Sequence, residues 1–207
     1  MTIDTVIFDL GGVLIHLPDS EMLEKRLRSL GVDHADKLAQ IILDSSNSQV
    51  FWDIMRGKIK EHDYWQQAAI QWNIQAESVN RLQKSFNSPE NLNQDMVLYF
   101  KALKGRYKLG ILSNAGDSAR KTMITEYHFD RIVDEIVISA EEGYAKPDRE
   151  IYAIAVKRLK TAPEACLFVD DLIENIEAAK VFGMETIHYQ NAETAIQLLN
   201  ERLNGQV

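Results

Sequence analysis

Four short stretches carry side chains able to do chemistry together: Asp9 with Gly11-Gly12 behind it, Ser113-Asn114, Lys146 before Pro147, and the pair Asp170-Asp171. Two of them have an ordinary structural use. Asp-x-Gly-Gly is a common way for a strand to enter a turn, and Ser-Asn serves as a helix N-cap. The other two are harder to read as scaffolding. Adjacent carboxylates after an apolar run repel each other unless a cation or strong donors stand nearby. A lysine at a helix start opposes the positive end of the helix dipole. Combined, the four describe one site. Its carboxylate clusters suit Mg2+, a hard cation that prefers oxygen ligands and shares its shell with substrate phosphate. Asp9 then attacks phosphorus to give an aspartyl-phosphate. Lys146 balances the paired charges and steadies the transferring phosphoryl group, whose oxygens accept hydrogen bonds from Ser113 and Asn114.

For this to work, the fold must bring the four stretches to one place. Thr5-Val6-Ile7-Phe8 is a short apolar run that ends at Asp9 and reads as a buried strand. Strand-like runs recur at 107–112, 135–138, 166–169 and 185–188, and helical patterns at about 96–103, from Pro147 onward, and at 173–182, which Gly183 closes. Strands alternating with helices at this spacing indicate an α/β fold, a parallel sheet with helices on both faces. Right-handed crossovers then place all strand C-terminal ends on one edge, where open α/β sheets bind ligands. Asp9, Ser113-Asn114 and Asp170-Asp171 are all expected there. The alternation is interrupted after the first strand. From Asp19 or Ser20, which can cap a helix bearing Leu23, Leu27 and Leu30, to about Asn87, apolar residues recur only at three- and four-residue intervals. This region reads as an all-helical insertion entered near Leu14 to Pro18 and left near Asn87 to Asn91.

Bulk properties limit the partners. With 207 residues, 45% apolar and 26% charged, the chain has the balance of an ordinary globular protein. A net charge of -8 argues against a nucleic-acid surface, but a lysine, backbone amides and a divalent cation can hold one small phosphorylated substrate. No apolar stretch is long enough to span a membrane, and the first residues do not read as a signal peptide. The lone Cys166 fits a reducing compartment, so a cytoplasmic location is expected. Cys166 itself is expected to be buried and inert. His16, His34, His62, His128 and His188 show no metal-ligand spacing. Trp52, Trp65 and Trp72 are expected to pack within the helical region, with Trp52 and Arg56 as candidates to face the substrate.

The sequence resembles the haloacid dehalogenase superfamily, in its branch with a helical cap inserted after the first motif. The resemblance is carried by Phe8-Asp9-Leu10-Gly11-Gly12-Val13, Leu112-Ser113-Asn114, Lys146-Pro147-Asp148, and Phe168-Val169-Asp170-Asp171 with Glu174-Asn175, in that order; Tyr152 and 176–179 fit the same pattern. It implies a Rossmann-like core formed by residues 1–15 and 90–207, and a cap of residues 16–89. It also implies Mg2+ held by Asp9, Asp170, Asp171 and the backbone carbonyl of Gly11, with Asn175 supporting the acids from behind. Family phosphatases usually carry a second aspartate two positions after the nucleophile, as acid and base for the leaving oxygen; here that position is Gly11. General acid–base catalysis is typically worth about 10²–10⁴-fold, so leaving groups that depart unaided are favoured. Family members that hydrolyse sugar 1-phosphates look similar at this position, and a sugar phosphate-like substrate is the expectation. The alternatives are a carbon-directed hydrolase, dehalogenase-like or epoxide-opening, and a non-catalytic binding protein. Paired acids such as Asp170-Asp171 are not expected in the metal-free dehalogenase branch.

Overall fold

A computed structural model describes residues 2–44 and 48–203. Five parallel strands form one sheet: β1 (Thr5–Phe8), β2 (Lys108–Ser113), β3 (Glu135–Ile138), β4 (Cys166–Asp170) and β5 (Glu185–His188), in the spatial order β3-β2-β1-β4-β5. Their side chains divide by the two-residue period of a strand. Val6 and Phe8 join one apolar layer with Met96, Phe100 and Leu199. Ile7, between them, joins the opposite layer with Ile151, Tyr152, Ala155 and Ile176. A sheet covered on both faces needs continuous apolar strands, and β1 is buried at all four positions.

The first layer is supplied by α6 (Gln94–Ala102), α7 (Ala119–Thr125) and α11 (Ala192–Arg202), and the second by α9 (Arg149–Leu159) and α10 (Ile173–Phe182); the short α8 (Ser139–Glu142) follows β3. Gly183 ends α10 at φ +109°, a left-handed conformation that suits a residue without Cβ. α7, α8 and α11 lie outside the elements named from the sequence. α11 had a readable start, since the Asn191 side chain accepts from Thr194 N at 2.9 Å, and it buries Ala195 and Leu199 four residues apart. α7 and α8 are too short to display a period.

Between β1 and α6 run α1 (Ser20–Ser29), α2 (Ala35–Asp44), α3 (Gln49–Met55), α4 (Glu61–Gln71) and α5 (Ala76–Phe86). Asp19 caps α1 by accepting from Met22 N at 2.8 Å. Leu23, Leu27, Leu38, Ala39 and Leu82 form an apolar cluster of this segment's own, with Trp65 and Trp72 against it. The connections into and out of the segment lie side by side. His16 N donates to Asn91 O at 2.8 Å, Asn93 N to Leu14 O at 2.9 Å, and the Asn93 amide to Val13 O at 2.9 Å. Among the described residues, no helix is long and apolar enough to cross a membrane.

Candidate active site

The chemical residues meet at the carboxyl edge of β1, β2 and β4. Asp9 follows β1 directly, and its N–H still donates to Val169 O of β4 at 2.8 Å. Ser113 and Asp170 are the last residues of β2 and β4, one position later than the strand ends read from sequence; Asn114 and Asp171 follow them. The turn after Asp9 explains its two glycines differently. Gly12 sits at φ +78°, and a Cβ there would lie 2.2 Å from Asp171 Oδ2, so only glycine lets the second acid come this close. Gly11 has no such constraint. A Cβ on it would make ordinary contact with the Leu17 side chain at 3.5 Å.

Lys146 is the hub. It is 1% exposed, and its Nζ lies 2.8 Å from Asp9 Oδ1 and 2.6 Å from Asp170 Oδ2. Its backbone is clamped by Asn114, whose Nδ2 donates to Lys146 O and whose Oδ1 accepts from Lys146 N, both at 2.8 Å. The Asn114 side chain, expected from sequence to bond phosphoryl oxygens, thus has both its amide groups on Lys146. Ser113 is 3% exposed as a residue, and its hydroxyl makes no hydrogen bond to the described residues. Asp170 accepts from Leu172 N at 2.9 Å and from Asn175 Nδ2 at 3.0 and 3.2 Å. Asn175 is held in turn through its carbonyl, which accepts from the Tyr152 hydroxyl at 3.0 Å.

Burial pushes the Asp9 carboxyl up to about 7, against the lowering effect of Lys146 and with further raising by Asp170. Burial works against the Lys146 charge, but Asp9 and Asp170 outweigh it and hold the ammonium above its usual range. Asp171 is raised by burial and by the neighbouring Asp170. Three carboxylates face one ammonium, and ligand oxygens of Asp9, Asp170 and Asp171 all lie within 4.8 Å of one another. With all three ionised, the cluster is two charges short of neutrality, in surroundings where uncompensated charge is costly. An all-oxygen donor set with that deficit fits Mg2+.

The helical segment reaches this edge through contacts the sequence did not reveal. Arg56, just past α3, stacks on Trp52 at 5.2 Å and pairs with Asp148 Oδ2 at 3.1 Å. Asp148 Oδ2 also accepts from Ala145 N at 3.2 Å, so the pair ends on the turn that carries Lys146. At the start of α4, Glu61 N donates to Asp117 Oδ1 at 3.1 Å, Lys60 pairs with Asp117 at 3.1 Å, and the Ser118 hydroxyl donates to Glu61. The partners of these bonds are 56 to 92 residues apart, and no local pattern links them. His188, read as ordinary, places Nε2 2.9 Å from the carbonyl oxygen of Asp171. Cys166 is buried, and burial pushes its thiol up to about 11, which makes it a poor nucleophile.

Comparison with known proteins agrees with this geometry. Residues 3–183 match the family of haloacid dehalogenase-like hydrolases, and the chain belongs to that family. It is a hydrolase. The sesquiterpene phosphatase astK of Aspergillus oryzae is 28% identical over 188 residues, covering 90% of either chain. The D-ribitol-5-phosphate phosphatase of Bacteroides thetaiotaomicron is 24% identical over 217 residues, covering 98% of this chain and 100% of that one. A HAD family enzyme of the same bacterium, crystallised with magnesium and inorganic phosphate, shares the fold with a TM-score of 0.74 at 21% identity, over 91% of this chain and 94% of that one.

Proposed function

We propose that the protein is a Mg2+-dependent phosphatase that acts on a small phosphate ester through an aspartyl-phosphate on Asp9. The observation that carries this reading is the position of Asp9, which shares Lys146 with Asp170 and stands within 4.8 Å of both other acids. A nucleophile that attacks carbon needs no such ring of carboxylates, whereas phosphoryl transfer concentrates negative charge that a divalent cation and a lysine must meet. Two relatives that cover most of the chain are phosphatases, which supports the same class.

Asp9, Asp170, Asp171 and the Gly11 carbonyl would hold the ion, which supplies charge neutralisation at the phosphoryl oxygens when bound. Asp9 attacks phosphorus, the P–O bond to the alcohol breaks, and the alkoxide or phenoxide departs. Lys146, clamped through its backbone by Asn114, faces the Asp9 carboxylate and stabilises the charge that builds up. The Ser113 hydroxyl is free to donate to a phosphoryl oxygen. Water then attacks phosphorus, releases inorganic phosphate and restores the carboxylate. Residues 16–89 act as the cap that selects the alcohol. With Gly11 in place of an acid, the favoured esters are those whose alcohol leaves readily, such as sugar 1-phosphates or aryl phosphates.

Turnover of 4-nitrophenyl phosphate by the purified chain tests this reading. Activity is expected with Mg2+, to vanish in EDTA and to return when Mg2+ is restored. Full activity in chelator would contradict the metal requirement, and no turnover with Mg2+ would contradict the phosphatase reading.

A further inference from the structure

We infer that the alcohol half of the substrate is an apolar, ring-sized group, and that it is held in a cavity between α3, α4 and the loop after β2. The inference rests on the phosphatase reading and narrows it. The cavity measures about 190 Å3, and its walls include Phe51, Ile54, Met55, Tyr64, Trp65 and Gly116. One border, Gly116, belongs to the loop that carries Ser113 and Asn114, and another, Met55, is next to a residue that touches the Lys146 turn. Gly116 lies two residues past Asn114, so their Cα atoms are at most about 8 Å apart. Met55 adjoins Arg56, which reaches Asp148 in the Lys146 turn at 3.1 Å. The cavity thus adjoins both the loop of Asn114 and the contact to the Lys146 turn, and on this inference it takes the alcohol of an ester whose phosphoryl group lies at Asp9.

The chemistry of the walls selects the occupant. The carboxylate among the described lining residues, Glu61, is already engaged: it accepts from Trp65 Nε1 at 3.3 Å and from the Ser118 hydroxyl. A polyol placed here would give up water at several hydroxyls and meet carbon, and each unpaired hydroxyl costs roughly tenfold in binding. An apolar group loses nothing comparable. A closed apolar cavity of about 150 Å3 takes up benzene, so this one has room for one ring with a short alkyl group. Gly11 adds an independent demand, a leaving group that departs without an acid. A phenol meets both demands, and the substrate class is an aryl phosphate monoester.

A series of 4-alkylphenyl phosphates, from methyl to butyl, separates size from leaving-group strength, because alkyl groups scarcely change the phenol pKa. With the full chain and Mg2+, kcat/KM is expected to rise by on the order of threefold per added methylene, until the cavity is full. It should also exceed the value for sugar 1-phosphates. Met55→Gln, which keeps the shape and adds an amide, is expected to flatten the series. A flat or falling wild-type series, with 4-nitrophenyl phosphate still hydrolysed, would overturn the cavity assignment and leave the phosphatase reading intact. Should 4-nitrophenyl phosphate resist hydrolysis, the phosphatase reading fails. The cavity is then decided by inert analogues: tighter binding of 4-propylbenzylphosphonate than of benzylphosphonate supports it, and equal binding overturns it.

Discussion

The carboxyl edge of the sheet and the α1–α5 segment meet over the same site, but they hold their side chains by different means. At the sheet edge, backbone does the holding. Lys146 is gripped through its own N–H and C=O by Asn114, and Asp170 by Leu172 N and the Asn175 amide, with the charged groups almost wholly buried. The segment reaches the core through solvent-accessible charge pairs. The side chains of Arg56–Asp148 are 27% and 31% exposed, and those of Lys60–Asp117 are 64% and 30% exposed. Pairs of the second kind typically contribute about 0–1 kcal/mol each, whereas breaking a buried pair leaves a charge stranded at about 3–5 kcal/mol. The edge is thus preorganised for one reaction, while the segment can shift or change its contacts at little cost.

Removing one lysine from each region is the sharpest way to break this comparison. Lys146→Ala should destabilise the metal-free protein by about 3–5 kcal/mol and lower kcat by roughly 10²–10³-fold. Lys60→Ala should stay within about 0.5 kcal/mol of wild type. Urea unfolding and steady-state kinetics on both variants check the contrast, and equal losses would refute it.

A pH series tests the buried charge itself. In chelator, Asp9 has a folded pKa of about 7, raised from an ordinary 3.8. The unfolded chain therefore releases this proton more readily, so the contribution of Asp9 to stability is complete below pH 4 and lost as pH rises through 7. Asp9→Asn should melt close to wild type at pH 4 and roughly 5–10 °C above it at pH 8, and saturating Mg2+ should reverse that order. Thermal melting in EDTA and in Mg2+ reads both.

Gly11→Asp should fold normally, because the backbone there accepts a Cβ, whose nearest neighbours are Leu17 atoms at 3.5 Å and beyond. Rates on alkyl esters with poor leaving groups should rise by about 10–100-fold, with little change for 4-nitrophenyl phosphate. In the wild type, log rate should fall steeply with leaving-group pKa when chemistry limits turnover. A flat slope would mean that another residue supplies the proton. A smaller effect on turnover belongs to the segment's own contact: Arg56→Ala should raise KM by about three- to tenfold and leave kcat within about twofold, with Arg56→Lys intermediate. A loss confined to kcat would give Arg56 a direct part in the reaction.

The same contrast explains what could be read from the sequence. The edge is legible because Asp9, Ser113-Asn114 and Asp170-Asp171 stand at or just past strands with clear apolar patterns, and right-handed crossovers bring those ends to one edge; Lys146 is legible from its charge before Pro147. Asp9, Lys146, Asp170 and Asp171 are therefore readable from residue type and spacing, as is the alternation that brings the strand ends together. What escaped depends on distance in space. The use of Asn114 as a clamp for Lys146 depends on two loops 32 residues apart, and Arg56–Asp148 on a helix end reaching another layer. Gly12 and Gly11 look alike as letters, yet only Gly12 has Asp171 against it. α11 is legible only through its Asn191 cap and the four-residue spacing of Ala195 and Leu199, and it carries no residue of the site.

Phosphorylation of Asp9 is the step on which the proposed reaction depends. Acid quench of the wild-type protein during turnover of 4-nitrophenyl phosphate with Mg2+, followed by mass spectrometry of the peptide that contains Asp9, tests it most directly. One phosphoryl group on Asp9, removed by hydroxylamine, is expected in the wild type. It should be absent from Asp9→Asn, whose turnover should fall by on the order of 10⁴-fold or more. A folded Asp9→Asn protein that keeps a near-native rate, or a phosphoryl group found on any other residue in place of Asp9, would contradict the account.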